Sequence, residues 1–371
     1  MTDKPAIRAE AERLMAFLQS HGAEVVDTDV LQPADILLDL YGEDMRARAY
    51  VTHDPDRGEM MLRPDFTVPV VQRHMATGAD PARYTYLGEV FRKQDAASSR
   101  AREYLQVGYE VFDRTNPAAA DAEVFALFSE VLSPLGVKPV TGDIGILMAA
   151  VQSLRTTDRR KAALMRHIWR PRRFRALIDR FTGRKPQPAG RAGLLDMAAA
   201  GIDAVIADAG PQIGLRTPQE VANRIARLQE DAVAPPIANE EAEVLGAILS
   251  LRETVPNAYE NLRDITVDMP GIAGAVARMA RRIEALDRAG IDVAGLPFEA
   301  SYGRTNMEYY DGFVFGFLAD GRPDLPPVAT GGRYDALTRV LGGGREIPAV
   351  GGVIRPYIVH ALRRNLTGGS K

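Results

Sequence analysis

The sequence predicts an α+β protein, in which an antiparallel sheet flanked by helices is interrupted by an inserted helical domain. Three observations predict it. The stretches "ARYTYLGEVFRK" and "REYLQVGYEVFD" alternate as strands do and flank the polar loop "QDAASSRA", which reads as an antiparallel pair with a long connection. From about Leu147 to Gly290 the chain turns helical and rich in Ala, Arg and Leu. There Ile272, Val276, Met279, Ile283 and Leu286 recur at spacings of four and three, the stripe of an amphipathic helix. Strand character then resumes at Leu296 and runs toward the C-terminus. The expected division is a split core of residues 1–146 and 295–371, with the helical domain at 147–294.

Taken in order, the first element is a helix carrying Ile7, Ala11, Leu14 and Leu18 on one face and ending at His21-Gly22. Pro33 and the turn-rich "THDPDRGE" divide the next stretch into short strands and loops. The strand pair follows, then the helix "AAADAEVFALFSEVLSPLG", stopped by Pro134 and Gly136. In the helical middle, Val221, Ile225 and Leu228 repeat the amphipathic spacing. The run "RHIWRPRRFRALIDRFTGRKP" is strongly basic. It reads either as a solvated helical face or as a docking patch for an acidic or phosphate-rich partner. Near the C-terminus, "SYGRTNMEYYDGFVFGF" reads as a strand carrying adjacent tyrosines. In "VATGGRYDALTRVLG", Thr330-Gly331-Gly332 precedes a helix starting near Tyr334. Those glycines mark a tight turn, or else leave backbone N–H groups free for an anion.

Composition narrows the function classes. The chain has 371 residues, 46% hydrophobic and 26% charged, as in ordinary globular proteins. With no cysteine, disulfides, thiolate metal sites and cysteine nucleophiles are excluded, which fits a reducing cytoplasm. The five histidines (His21, His53, His74, His167, His360) lack metal-ligand spacing, so no metal and no cofactor is expected. A net charge of -3 argues against a dedicated nucleic-acid binder. Neither a signal peptide nor a membrane span is expected.

Residues two apart on a strand share a face. On "YTYLGEVFR" one face holds Tyr84, Tyr86, Gly88, Val90 and Arg92. On "YLQVGYEVF" one face holds Tyr104, Gln106, Gly108, Glu110 and Phe112, while Leu105, Val107, Tyr109 and Val111 look core-like. In the third stretch Tyr310, Gly312, Val314 and Gly316 align. Strand glycines mark close approach by a ligand or by another backbone. Each face alone also reads as a solvated sheet with bulge glycines; three together predict a ligand platform offering Arg92, Gln106, Glu110 and Tyr310. Those groups suit a small cationic or hydrogen-bonding ligand such as an amino acid. Asp65 in "LRPDFT" would add a carboxylate for an ammonium group, or serves as a turn or cap residue.

The motifs "LRPDFT", "VFRKQ…R…LQVGYEVF", "MEYYDGFVF" and "TGGRYDAL" come in the order found in histidyl-tRNA synthetase, which the chain resembles over its first ~150 and last ~75 residues, sizes ordinary for a split domain core. The resemblance implies the class II synthetase core, usually dimeric. It carries a histidine pocket onto Asp65, Thr67, Gln106, Glu110, Tyr309, Tyr310 and Tyr334. Asp65 and Thr67 would hold the amino group, and Tyr310 and Glu110 the imidazole. Arg92, Arg100 and Arg102 match nucleotide-loop arginines and become candidate contacts to a phosphate or a partner, or solvate a loop.

The departures matter as much. Where synthetases read "RGLDYYTG", Thr305 occupies the arginine position and Arg304 lies one residue earlier. The glutamate of "FRxE" is Gln94. The motif like "AVGFAMGLERL" appears as "AVGGVIRPYIV", placing Ile358 at the nucleotide-binding arginine, with Arg355 displaced ahead of Pro356. No anticodon-binding domain is expected. A retained pocket with altered activation motifs resembles the regulatory subunits of ATP phosphoribosyltransferase. That resemblance implies a non-catalytic, cytoplasmic homodimer within a larger hetero-oligomer with a short-form catalytic subunit, sensing L-histidine in histidine biosynthesis. It assigns no residue to the histidine carboxylate. The alternative is a truncated aminoacyl ligase activating an amino acid with ATP.

Overall fold

The computed structural model describes residues 3–34, 49–94, 101–211, 213–304 and 309–368. Arg100 and Thr305 lie outside the described residues. The chain begins with α1 (Lys4–Ser20), capped by the Asp3 carboxylate and burying Ile7, Ala11, Leu14 and Leu18 as its spacing predicts. The short strands β1 (Glu24–Val25), β2 (Leu31–Pro33), β3 (Val51–Asp54) and β4 (Gly58–Leu62) follow, then α2 (Thr67–Thr77). The long strands β5 (Ala82–Phe91) and β6 (Glu103–Phe112) precede α3 (Pro117–Leu132), β7 (Val137–Asp143) and α4 (Ile144–Ser153).

Six helices come next: α5 (Asp158–Arg166), α6 (Pro171–Phe181), α7 (Ala189–Ala199), α8 (Ile202–Asp208), α9 (Pro218–Val233) and α10 (Asn239–Ser250). The basic run forms the end of α5 and most of α6. Phe174, Ile178 and Phe181 are buried, while Arg172, Arg173 and Arg175 are exposed. Within the stretch expected to be helical lies one short strand, β8 (Arg252–Thr254), ahead of α11 (Val255–Asp268) and α12 (Ala273–Arg288). The chain closes with β9 (Pro297–Glu299), β10 (Phe313–Ala319), β11 (Ala329–Arg333), α13 (Asp335–Leu341), β12 (Ala349–Ile354) and α14 (Pro356–Gly368).

Among the described residues, nine strands form one sheet in the order β1-β5-β6-β12-β11-β10-β7-β9-β8, and β2-β4-β3 form a second. The large sheet is antiparallel except where β1 joins β5 and β7 joins β9. One face is apolar. Phe313, Phe315 and Phe317 on β10 meet Phe125 of α3, with centroids 5.3–6.2 Å apart, and Phe128 adds a further edge contact to Phe315. Such aromatic stacking supplies much of the buried area that holds a layer together. The helix α12 packs outside α3. Its spacing predicts an apolar buried stripe, yet Arg282 is buried on it as well. Arg282 reaches Asp143 at 2.6 Å and Asp121 at 3.5 Å, because a buried guanidinium requires paired carboxylates.

The opposite face carries Gln106, Gly108 and Glu110 of β6, aligned with Gly88, Tyr86 and Tyr84 of β5 and continued by Val353 and Gly351 of β12. Directly opposed residues share a face, so glycine on one strand makes room for a large side chain on the next. Here three expectations are corrected. Gly108 does not leave open space for a ligand: a Cβ there would lie 2.1 Å from the Tyr86 ring. Gly312 is likewise covered by Arg333 and Gly316 by Tyr302. Tyr309 and Tyr310 precede β10 rather than belonging to it, and Gly331-Gly332 lie inside β11, hydrogen-bonded on both sides, with no free N–H row. Replacing Gly108 by alanine should cost about 1–3 kcal/mol through overpacking, read as a lower urea midpoint; an unchanged midpoint would mean that Tyr86 can yield the space freely.

Candidate functional site

The strand pair β5–β6 is the platform, and the segment between β4 and α2 forms its wall. In that segment Arg63 donates through Nε to the Glu89 carbonyl (2.8 Å) and stacks on Phe66 (4.0 Å), which in turn stacks on Tyr86 (4.3 Å). Arg92, at the end of β5, donates to the Pro64 carbonyl at 2.8 Å. These ties hold Asp65 and Thr67 over the sheet. From the other side, Tyr334 caps the junction between β11 and α13, and Tyr309 and Tyr310 arrive just before β10.

Together they enclose a cavity of about 240 Å³. Drug-sized ligands use roughly 300–1,000 Å³, so this one matches a small metabolite. Asp65, Thr67, Gln106, Tyr309, Tyr310 and Tyr334 line it, as does Arg92. Glu110 is brought close but lies one layer below, only 1% exposed. Its Oε1 accepts from Thr67 Oγ1 (3.0 Å) and Tyr86 OH (2.9 Å), and its Oε2 accepts from Tyr334 OH (2.6 Å). Tyr309 OH donates to Thr67 Oγ1 at 3.2 Å, so a hydroxyl chain connects the cavity wall to the buried carboxylate. Gly351 sits directly beneath, because any Cβ there would collide with Glu110 Oε2. Arg102 is exposed and does not line the cavity; its carbonyl accepts from the Arg92 N–H at 2.8 Å.

Burial pushes the Glu110 carboxyl up to about 7, against the pull of the Tyr334, Tyr86 and Thr67 hydroxyls, and nearby Asp65 pushes the same way. The Tyr310 and Tyr334 phenols are held well above their usual range, chiefly by burial and by the Glu110 charge. They remain neutral hydrogen-bonding groups at physiological pH. The Gln106 side chain is fully buried, and neither its Nε2 nor its Oε1 finds a partner among the described residues. Buried polar groups are almost always paired, so this amide points to a ligand.

Two residues outside the sequence-predicted pocket change its meaning. Tyr86 completes the Glu110 cluster; its signal was its position two residues from Gly88 on a strand whose partner carries Gly108. Arg355, noted in the sequence as displaced, lines the cavity. By contrast Arg304 donates to the Ile168 carbonyl (2.7 Å) and lies 5.0 Å from the Phe174 ring center, turned toward α6. Ile358 is buried in the core. A larger cleft of about 1090 Å³ between α5, α8 and α9 is lined by arginines, including Arg159, Arg166 and Arg224, around apolar residues. Among the described residues that line it, the one carboxylate, Glu230, is exposed.

A largely antiparallel sheet with a polar, amino-acid-sized cavity on one face and helices on the other defines a class II synthetase-like core. The histidyl-tRNA synthetase family profile matches residues 3–232 and 224–356. The chain is 32% identical over 354 residues to the ATP phosphoribosyltransferase regulatory subunit of Brucella anthropi, covering 91% of this chain and 93% of that protein. It is 33% identical over 341 residues to the subunit of the same name from Agrobacterium fabrum, covering 88% and 89%. In fold it is similar to an ATP phosphoribosyltransferase regulatory subunit/histidyl-tRNA synthetase from Bacillus halodurans, with TM-score 0.64 and 20% identity over 97% of this chain and 79% of that one. A histidyl-tRNA synthetase from Nostoc gives TM-score 0.63 and 16% identity, over 99% and 73%. The chain belongs to the histidyl-tRNA synthetase-like family of ATP phosphoribosyltransferase regulatory subunits. Among the described residues no helix is long and apolar enough to cross a membrane.

Proposed function

We propose that this chain is a non-catalytic regulatory subunit that activates a short-form ATP phosphoribosyltransferase catalytic subunit and binds L-histidine as a feedback signal in histidine biosynthesis. The observation that carries this reading is the cavity itself. Its walls combine carboxylate, hydroxyl, phenol and unpaired amide groups in a volume suited to an amino acid. The direction of Arg304, away from the cavity and toward Ile168, supports a binding role over adenylate chemistry. In this reading Asp65, Thr67, Gln106, Tyr309, Tyr310 and Tyr334 contact histidine, with Glu110 fixing two of them from below. Residues 147–294 form the inserted domain, and the protein works as a homodimer within a cytoplasmic hetero-oligomer. Feedback requires that histidine bind two states of that assembly unequally. The coupling must also be reciprocal, so catalytic-subunit binding changes histidine affinity by the same factor.

The test is phosphoribosyl transfer by a short-form catalytic subunit from the same source, with and without this chain, across a histidine titration. Activity that depends on this chain and falls with added histidine is the expected result. No dependence in a folded preparation overturns the reading, and histidine-dependent ATP–pyrophosphate exchange would replace it with an aminoacyl ligase.

A further inference from the structure

On the cavity face of β12, Gly351 lies opposite Glu110 and Val353 opposite Gly108. Continuing that alternation, Arg355, the first residue past the end of β12, falls on the same face and lines the cavity together with Gln106. Its backbone N–H still follows the β11 ladder, donating to the Val328 carbonyl at 2.9 Å. Glu110 and Gln106 lie four positions apart on β6, a span of roughly 14 Å. The cavity floor is therefore polarised. One end rests on the Glu110 cluster, and Arg355 and the Gln106 amide line the remainder.

Arg355 is poorly compensated where it sits. Its Nη1 donates to the Pro327 carbonyl (2.7 Å), and its Nη2 has only a long contact to Thr330 Oγ1 (3.4 Å). Among the described residues no carboxylate forms an ion pair with it. Burial lowers the guanidinium's proton affinity, and the like charge of Arg92 acts the same way against the opposing pull of Tyr104. A guanidinium in a cavity with no ion-pair partner among the described residues is suited to an anionic ligand group. Gln106, with both amide atoms unpaired, is an independent pointer to the same place.

We infer that Arg355, assisted by the Gln106 amide, holds the α-carboxylate of the amino-acid ligand. The inference rests on the histidine-binding reading above. The α-amino acid then presents its ammonium to Asp65 and Thr67 and its carboxylate, borne on the same carbon, to Arg355. A planar guanidinium suits a carboxylate through paired hydrogen bonds, which lysine makes only as a point charge.

Calorimetric titration of the intact chain with L-histidine, with histidinol (an alcohol in place of the carboxylate) and with ATP tests this. The wild-type chain should bind histidine at least roughly tenfold more tightly than histidinol, the scale of a charge-assisted hydrogen bond. Arg355→Gln should lose about that factor for histidine, leave histidinol unchanged and so abolish the discrimination. Arg355→Lys should fall between and guards against a misfolded glutamine variant. Equal binding of histidine and histidinol by the wild-type chain overturns the role of Arg355 while leaving histidine sensing intact. So does an Arg355→Gln variant that keeps histidine affinity, or one that loses only ATP binding, which would assign the guanidinium to a phosphate. A wild-type chain that binds no histidine overturns both readings together.

Discussion

Glu110→Gln is expected to weaken histidine binding about 5- to 100-fold and to shift histidine inhibition to correspondingly higher concentrations, without dissociating the assembly. Both Glu110 oxygens act as acceptors, for Thr67 and Tyr86 on one side and Tyr334 on the other. An amide offers one acceptor oxygen and places N–H donors where the second oxygen stood. Whichever way it is oriented, at least one hydroxyl must turn away. Leaving a buried polar group mispaired costs about 1–3 kcal/mol. Two of the three hydroxyl residues line the cavity, so the loss should reach the ligand. Glu110 itself is 1% exposed and presents nothing to a partner surface. The same variant has a pH signature. A carboxyl raised from 4.5 to about 7 contributes stability that is fully present below 4.5 and is lost as pH rises through 7. Glutamine lacks that contribution. The melting temperature of the variant minus that of the wild-type chain should therefore climb between pH 4.5 and 7, then level off. Asp311, also raised to about 7 by burial and Asp335, titrates in both proteins and cancels in the difference. A variant with unaltered histidine response and a flat pH difference would remove Glu110 from the site.

Asp121→Ala should produce the largest loss of stability, about 3–5 kcal/mol, because it strips the shared carboxylate from two buried guanidinium groups. Asp121 Oδ1 accepts from Arg333 at 3.0 and 2.7 Å, and Oδ2 lies 3.5 Å from Arg282. Asp143 and Asp335 retain partial pairing for Arg282 and Arg333, which keeps the effect from growing larger. The cluster fastens α3, β7, β11 and α12 together, so unfolding by urea should begin earlier for the whole core. Asp121→Asn keeps the shape and loses only the charge, and should cost less. A shift below roughly 1 kcal/mol in Asp121→Ala, within the range of ordinary surface substitutions, would mean that the network is not a structural clamp.

Helix α1, the strands β5 and β6 and the stripe of α12 were legible because hydrophobic periodicity is a local property. So were most of the residues that line the sheet cavity, through the resemblance carried by "LRPDFT", "LQVGYEVF" and "GGRYD". Arg282 was not, because a periodicity argument counts apolar residues and has no means of placing a paired charge on the buried stripe. The glycines misled for a related reason. On their own strands Gly108 and Gly316 leave gaps, but Tyr86 and Tyr302, from elsewhere in the chain, fill them.

By itself the sequence determined the helices α1 and α12, the strand pair β5–β6 with its polar face, and which residues form the likeness to histidyl-tRNA synthetase. Only the tertiary structure decided that Glu110 supports the cavity from below, that Arg304 turns toward α6, and that Arg355 and Gln106 line one cavity. The physical reason is register. Alternation along one strand fixes a side chain's face, but its neighbours depend on how distant strands align, and that alignment is set by packing of the whole sheet.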